Sequence, residues 1–210
     1  MNNIKTLIFD FDGTIADSFP VIWKIIDTLL VENKQPKLTE KQRKTLKNMS
    51  PREIIKEFQI PIIKLPFLLA KGIVLINKEI QNISPIAGVG PVLKKLQQKG
   101  LNLGLLSSNS LTNLQLFLKN QQLEVFNFIA SENNLFGKDK ALKKILHQHN
   151  LKIEETIYLG DEVRDIEACK KIGLKTAAVT WGFNTKNKLN AMQPDYLLEK
   201  PEEIMKIVRI

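Results

Sequence analysis

Lys5-Thr6-Leu7-Ile8-Phe9-Asp10-Phe11-Asp12-Gly13-Thr14 is the stretch that decides how the rest of the chain is read. An apolar run rich in strand formers, Thr6-Leu7-Ile8-Phe9, stops abruptly at a carboxylate. A second carboxylate follows two residues on, then a glycine. A continuous apolar run bounded by turn residues suits a strand buried on both faces. In open α/β sheets, ligands sit beyond the carboxyl ends of such strands. Asp10 and Asp12 would stand there side by side, on a tight turn that Gly13 permits. A plain turn is the bland alternative. A calcium loop fits badly, because it needs glycine at position six and glutamate at twelve. Counted from Asp10, Gly13 stands at position four and Val21 at twelve.

Composition bounds the rest. The 210 residues allow one ordinary domain, or a domain with an inserted subdomain. Apolar residues make up 43%, enough for a core. With 31 basic and 22 acidic side chains the net charge is +9, which favours anions in general. The lysines are scattered, however, with no basic run of five and no aromatic interleaving, so a nucleic-acid footprint is not supported. The single cysteine, Cys169, cannot form an internal disulfide and reads as packing in a helix; His147 and His149 bear no obvious relation to it. Asp10 and Asp12 interrupt the N-terminal apolar segment, which argues against a signal peptide. The most apolar stretch, residues 60–76, is broken by Pro61, Lys64, Pro66 and Lys71 and cannot span a bilayer. The expectation is a soluble, cytoplasmic protein with no membrane partner.

After the first strand the character changes. Residues 19–84 carry only helical signals. Pro20 suits a first turn, and Ile22, Ile25, Ile26, Leu29 and Leu30 recur at helical spacing. Thr39 or Thr45 begins a second helical piece. Ser50-Pro51-Arg52-Glu53 reads as a third start, with Ser50 as N-cap and Glu53 closing a capping box. Residues 65–81 read as a long apolar helix. From residue 85 strands and helices alternate. Helices are expected over 91–99, 111–121, 138–149, 163–172 and 201–208. Strands are expected over 101–106, 126–130, 156–159 and 175–180, with a last one around Tyr196-Leu197-Leu198. That alternation predicts an α/β fold: a Rossmann-like parallel-sheet core sandwiched by helices, with an inserted all-helical subdomain. The core would comprise residues 1–18 and 85–210, and the insertion residues 19–84.

The strand ends carry complementary chemistry. The first gives Asp10 and Asp12, the second Ser108 and Asn109. Lys138 opens the helix after the third, and the fourth gives Gly160-Asp161 with Asp165 four residues on. Converging carboxylates repel and need a cation, and an all-oxygen set favours Mg²⁺. A hydroxyl, an amide and a lysine opposite them make a phosphate cradle. A free carboxylate that attacks phosphorus forms an acyl phosphate, and phosphoryl transfer asks mainly for positioning and charge neutralisation.

These motifs resemble the haloacid dehalogenase superfamily in its phosphatase branch. Asp10-Phe11-Asp12-Gly13-Thr14 resembles the first motif, and Leu105-Leu106-Ser107-Ser108-Asn109 the second. Lys138 is similar to the third-motif lysine, and Gly160-Asp161-Glu162-Val163-Arg164-Asp165 resembles the fourth motif. Ala178-Val179-Thr180-Trp181-Gly182-Phe183 and Pro194-Asp195 resemble the tail of phosphoglycolate-phosphatase-like members. The resemblance implies a role for each position. Asp10 would be nucleophile and Mg²⁺ ligand. Asp12 would be the acid and base, with its backbone carbonyl on the metal. Asp161 would be the third protein ligand, and Asp165 would act through water or orient Asp161 and Lys138. Ser108 and Lys138 would hold phosphoryl oxygens, helped by the N–H groups of Phe11 and Asn109. Ser107 competes with Ser108, and Lys140 with Lys138, since Asp139 stands where the family usually has proline. The helical insertion would be a cap hinged near Asp17 and Ser18, with Arg52 either reaching the cleft or lying on the surface. Trp23 and Phe67 read as core residues, and Trp181 and Phe183 as entrance or packing.

The resemblance implies a Mg²⁺-dependent phosphatase acting on a small phosphorylated metabolite, as a monomer or homodimer. A phosphomutase acting on a sugar phosphate, or a non-catalytic regulatory protein of the same fold, are the alternatives.

Overall fold

The computed structural model describes residues 4–32, 34–58, 63, 65–132 and 137–208, the side chains of Pro51, Arg52, Leu65, Leu69 and Ile73 excepted. Six short strands form one sheet: β1 (Thr6–Phe9), β2 (Asn102–Ser107), β3 (Phe128–Ser131), β4 (Thr156–Gly160), β5 (Lys175–Val179) and β6 (Tyr196–Leu198). Their order is β3-β2-β1-β4-β5-β6, and every pairing is parallel. The chain steps outward from β1 to β3, then crosses back to place β4 on the other side of β1. The strand order therefore reverses between β1 and β4, where ligands bind in such sheets. Phe9 pairs with both Leu105 and Leu159, so the residue that follows it, Asp10, leaves the sheet at the carboxyl rim.

Among the described residues, four helices separate β1 from the rest of the sheet: α1 (Phe19–Glu32), α2 (Glu40–Leu46), α3 (Pro51–Glu57) and α4 (Leu65–Glu79), the last continued by a 3₁₀ turn at Ile80–Asn82. Ser50 caps α3 in a capping box with Glu53, as their spacing foretells, and of the two threonines left open for α2 it is Thr39 that caps it, in a capping box with Gln42. The chain leaves and returns at one place. Asp17 N–H donates to the Ser84 carbonyl at 2.9 Å, and Ile86 N–H to the Ile15 carbonyl at 2.8 Å. The insertion is thus tethered by two adjacent backbone segments.

The remaining helices cover the sheet: α5 (Val89–Gln98), α6 (Leu111–Asn120), α7 (Lys138–Gln148), α8 (Val163–Ile172), α9 (Lys186–Ala191) and α10 (Ile204–Ile207). Alternate strand residues point to opposite faces. Leu7, Phe9, Leu105 and Leu159 pack with Val92, Leu96, Leu114, Phe117 and Ile204 from α5, α6 and α10. Ile8, Leu106 and Tyr158 pack with Leu142, Ile145 and Cys169 from α7 and α8. Both faces of β1 are sealed, which is why its sequence shows no polar alternation.

Several boundaries differ from expectation. Helix α5 begins at Val89 rather than Pro91, because Gly88 takes a left-handed conformation (φ +86°) and turns the chain two residues earlier. Strand β3 runs Phe128–Ser131, set by Asn127, whose N–H donates to the Leu103 carbonyl and whose Oδ1 accepts the Leu103 N–H. Helix α9 has no counterpart among the expected elements; it is lysine-rich and buries only Leu189, so its apolar periodicity is too weak to read. Phe67 is not a core residue: it is 69% exposed, with Val74 at 52%, because the apolar surface of α4 extends beyond the side that packs inward through Leu75 and Ile76. No helix among the described residues is long and apolar enough to cross a membrane.

Candidate active site

The carboxyl rim at the β1/β4 switch gathers the acidic side chains. Asp10 follows β1 directly, and its N–H continues the ladder to the Leu159 carbonyl at 2.8 Å. Asp161 follows β4. Asp165 lies in the first turn of α8, where its Oδ2 accepts the Glu162 N–H at 3.0 Å. Asp10, Asp161 and Asp165 are buried, and each offers a carboxylate oxygen within 4.8 Å of the other two. Lys138, at the start of α7, joins them. Its Nζ donates to Asp10 Oδ2 at 2.9 Å and to Asp165 Oδ1, and lies 5.3 Å from the centre of the Tyr158 ring. Lys140 is exposed on the same helix.

Asp161 is held on both oxygens. Thr14 Oγ donates to its Oδ1 at 3.0 Å, and the Phe183 N–H to its Oδ2 at 2.7 Å. Two glycines make that possible. Gly13 sits at φ +76°, and a Cβ there would meet the Phe19 ring at 2.7 Å as well as the Asp161 carboxylate. A Cβ on Gly182 would meet Asp161 Cγ at 2.5 Å. Thr14 and the 182–183 backbone were not singled out for roles from sequence. Thr14 stood inside the quoted motif, but nothing in the pattern says that its hydroxyl reaches a residue 147 positions away.

Burial dominates the electrostatics. It pushes the Asp161 carboxyl well above the usual range, and Glu162, Asp10 and Asp165 add to the push. Burial raises Asp165 to about 6, with Lys138 pulling it down and Asp10 up. Burial would lower Lys138, but Asp10 and Asp165 outweigh it and hold the ammonium firmly charged. Three carboxylates and one ammonium leave an excess of negative charge in a site shielded from water. A divalent cation among the three aspartate oxygens relieves it, so these residues fit a metal ion.

Asp12 contributes no carboxylate oxygen to that group. Its Oδ1 is shielded from solvent, and neither it nor the Ser18 hydroxyl has a hydrogen-bond partner among the described residues. Burial lifts Asp12 to about 6. Ser18 draws it down, and Asp10 adds repulsion.

The second strand delivers both serines to one small cavity, lined also by Leu106, Glu132, Lys138, Ala141 and Arg164. Ser107, the last residue of β2, is 1% exposed, and its Oγ accepts the Asn109 N–H at 3.0 Å. Ser108 is exposed on the turn that follows. Asn109 is buried, and its Oδ1 accepts the Ser110 N–H and Asn113 Nδ2. The two N–H groups that the resemblance assigns to phosphate are internally engaged here: that of Asn109 with Ser107, and that of Phe11 with Asp10 Oδ1 at 2.8 Å. Arg164 was not singled out; it faces the same cavity and pairs with Glu162 at 2.5 Å.

Around the site, Phe183 stacks on Phe19 with ring centres 5.5 Å apart, and Trp23 lies 6.2 Å from Phe183. The Trp181 indole donates at 3.2 Å to the carbonyl of Thr14, the residue whose hydroxyl holds Asp161. The Arg52 side chain lies outside the described residues. Cys169 is fully buried away from solvent, and burial lifts its thiol to about 12.

A doubly wound parallel sheet with buried aspartates and a lysine at its switch point defines an acidic, cation-seeking cleft in an α/β protein. A family model described as haloacid dehalogenase-like hydrolase matches residues 7–179, and the chain belongs to that family. The phosphoglycolate phosphatase of Synechococcus elongatus is 31% identical over 210 residues, covering 98% of this chain and 97% of the relative. The pyrophosphatase PpaX of Listeria welshimeri is 26% identical over 211 residues, with the same coverage of 98% and 97%. A haloacid dehalogenase-like family hydrolase from Streptococcus pneumoniae shares the fold, with a TM-score of 0.85 at 23% identity over 100% of both chains.

Proposed function

We propose that the chain is a Mg²⁺-dependent phosphatase that hydrolyses a small organic phosphomonoester through a phospho-aspartate on Asp10. The observation that carries the reading is the meeting of three buried aspartate oxygens within 4.8 Å, with Lys138 Nζ 2.9 Å from Asp10. Asp10, Asp161 and Asp165, with the Asp12 backbone carbonyl, would hold the ion, which would supply charge neutralisation for an anionic ester approaching an anionic nucleophile.

The chain's own residues then divide the work. Lys138 and Ser108, which share one cavity, hold phosphoryl oxygens, with the N–H groups of Phe11 and Asn109 turning from their internal acceptors to the substrate. An Asp10 oxygen attacks phosphorus, the ester P–O bond breaks, and Asp12 gives its proton to the leaving oxygen. Asp12 then takes a proton from water, the water oxygen attacks phosphorus, and the Asp10–phosphorus bond breaks to release phosphate. A carboxyl poised at about 6 suits both roles near neutral pH. Residues 1–18 and 85–210 act as the core, and residues 19–84 as a cap that excludes water during turnover.

Phosphoglycolate is the first substrate to test, on the strength of the Synechococcus relative's name, and pyrophosphate the second, on that of the Listeria relative. The reading places the protein in the cytoplasm, where a lone unpaired cysteine is at home. The test is hydrolysis of p-nitrophenyl phosphate and phosphoglycolate with Mg²⁺, with and without EDTA, by the wild type and Asp10→Asn. Turnover abolished by EDTA and by the substitution supports the reading; turnover by folded Asp10→Asn overturns it.

A further inference from the structure

Asn184 follows β5 and is 2% exposed, and its side-chain amide joins parts of the chain far apart in sequence. Its Oδ1 accepts the Val163 N–H at 2.8 Å, the first of α8. Its Nδ2 donates to the carbonyls of Lys47 at 2.9 Å and Met49 at 3.4 Å, between α2 and α3. Its backbone N–H donates to the Asp161 carbonyl at 3.2 Å. The residue before it, Phe183, holds Asp161 Oδ2 through its own N–H. One dipeptide therefore fixes Asp161, satisfies the first turn of the helix that carries Asp165, and grips the helical insertion.

The first N–H groups of a helix have no partner within it. Here one is served by a side chain from another loop, and the rest of that amide is spent on the insertion. The residue type is demanding. Asparagine supplies an acceptor and two donors on a short stem, whereas aspartate supplies acceptors alone.

We infer that Asn184 is a positioning residue that couples docking of the helical insertion to the arrangement of the cation-binding aspartates. The insertion cannot lift from the core without stripping both Nδ2 bonds from a buried amide whose other end holds α8. Conversely, an ion that fixes Asp161 and Asp165 fixes the loop that clasps the insertion. Such coupling is reciprocal by linkage. The inference rests on the reading of Asp10, Asp161 and Asp165 as a cation site. A neighbouring tie provides the contrast: Thr185 Oγ bonds Asn48 Oδ1, joining the insertion to the core without reaching α8.

Amide hydrogen exchange over residues 40–58 of the full chain tests the coupling, read with and without saturating Mn²⁺. Binding of Mn²⁺ itself is followed separately by calorimetry. In the wild type, Mn²⁺ is expected to slow exchange there on the order of tenfold, as a local opening is suppressed. In Asn184→Ala the slowing is expected to fall below about twofold, while Thr185→Val keeps the wild-type response. Asn184→Asp, which retains an acceptor for Val163 and loses the donors, is expected to behave like Asn184→Ala and serves if the alanine variant does not fold. An unchanged Mn²⁺ response in either Asn184 variant overturns the inference. So does Mn²⁺ binding to the wild type with no slowing over residues 40–58, which decides the matter without any variant. So too does lost Mn²⁺ binding in a variant whose metal-free exchange over residues 40–58 matches the wild type, since Asn184 would then serve the metal loop alone. Failure of the wild type to bind Mn²⁺ at all is a different result, and removes the reading of the site itself.

Discussion

Replacing Lys138 with methionine keeps most of the side chain's volume and removes its charge. The ammonium sits between Asp10 and Asp165, with side-chain exposures of 12%, 6% and 0% respectively. At 2.9 Å from Asp10 and an effective dielectric of about 20, the gross Coulomb attraction of that pair alone is about 6 kcal/mol. Desolvation offsets much of this in the intact protein, but removing one partner strands the other's charge. The net cost of breaking such a buried pair is about 3–5 kcal/mol. For a chain of this size that corresponds to a fall in Tm of roughly 6–20 °C. The assay is thermal or urea unfolding of Lys138→Met against wild type in EDTA at pH 8. Added Mg²⁺ is expected to recover a larger share of stability in the variant than in the wild type, because the ion replaces the lost cation. A variant within about 1 kcal/mol of wild type in EDTA would refute the reasoning, since the carboxylates would then not be crowded and charged as the geometry implies.

Four further outcomes follow, three from the site and one from the core beside it. Asp12 and Asp165 are raised to about 6 in the fold, so each binds its proton more tightly folded than unfolded. Their contribution is fully present below the unfolded carboxylate range and is lost as pH climbs through about 6, so the EDTA-treated protein should melt higher at pH 5 than at pH 8, with Mg²⁺ narrowing the gap. Gly182→Ala forces a Cβ to within 2.5 Å of Asp161 Cγ and should cost about 1–3 kcal/mol of stability while weakening Mg²⁺ binding and phosphatase turnover, measured by melting and calorimetry. Thr14→Val removes the hydroxyl that donates to Asp161 Oδ1 and should weaken Mg²⁺ affinity roughly tenfold or more with the fold retained, the range seen for outer-shell partners of metal ligands. Cys169, buried with its thiol lifted to about 12, should resist iodoacetamide at pH 8 in the native state and react on unfolding, as read by mass spectrometry.

The parallel sheet and the helical insertion were legible because their signals are local: apolar runs of strand length, strand ends that turn polar, and the capping box at Ser50. Asp10, Asp161 and Lys138 stood out for the same reason, each placed by chain punctuation at the end of a strand or the start of a helix. What supports them was not legible. Thr14 and Phe183 reach Asp161 across 147 and 22 residues, and Asn184 reaches Lys47 across 137, contacts that only the folded chain creates. Sequence alone left Ser107 competing with Ser108; the folded chain leaves the strand at Ser107, which is buried and bonded to the Asn109 N–H, while Ser108 is exposed on the turn, a difference that local pattern does not carry where a strand ends. Phe67 misled because an apolar helix signals burial without saying which side is covered.

The account stands most directly on Asp10 carrying phosphate during turnover. Enzyme quenched in acid while hydrolysing p-nitrophenyl phosphate with Mg²⁺, then reduced with borohydride, should yield homoserine in place of Asp10 when its peptides are sequenced by mass spectrometry. Homoserine at another aspartate, or none at all in an enzyme that is turning over, would contradict the nucleophile and the site built around it.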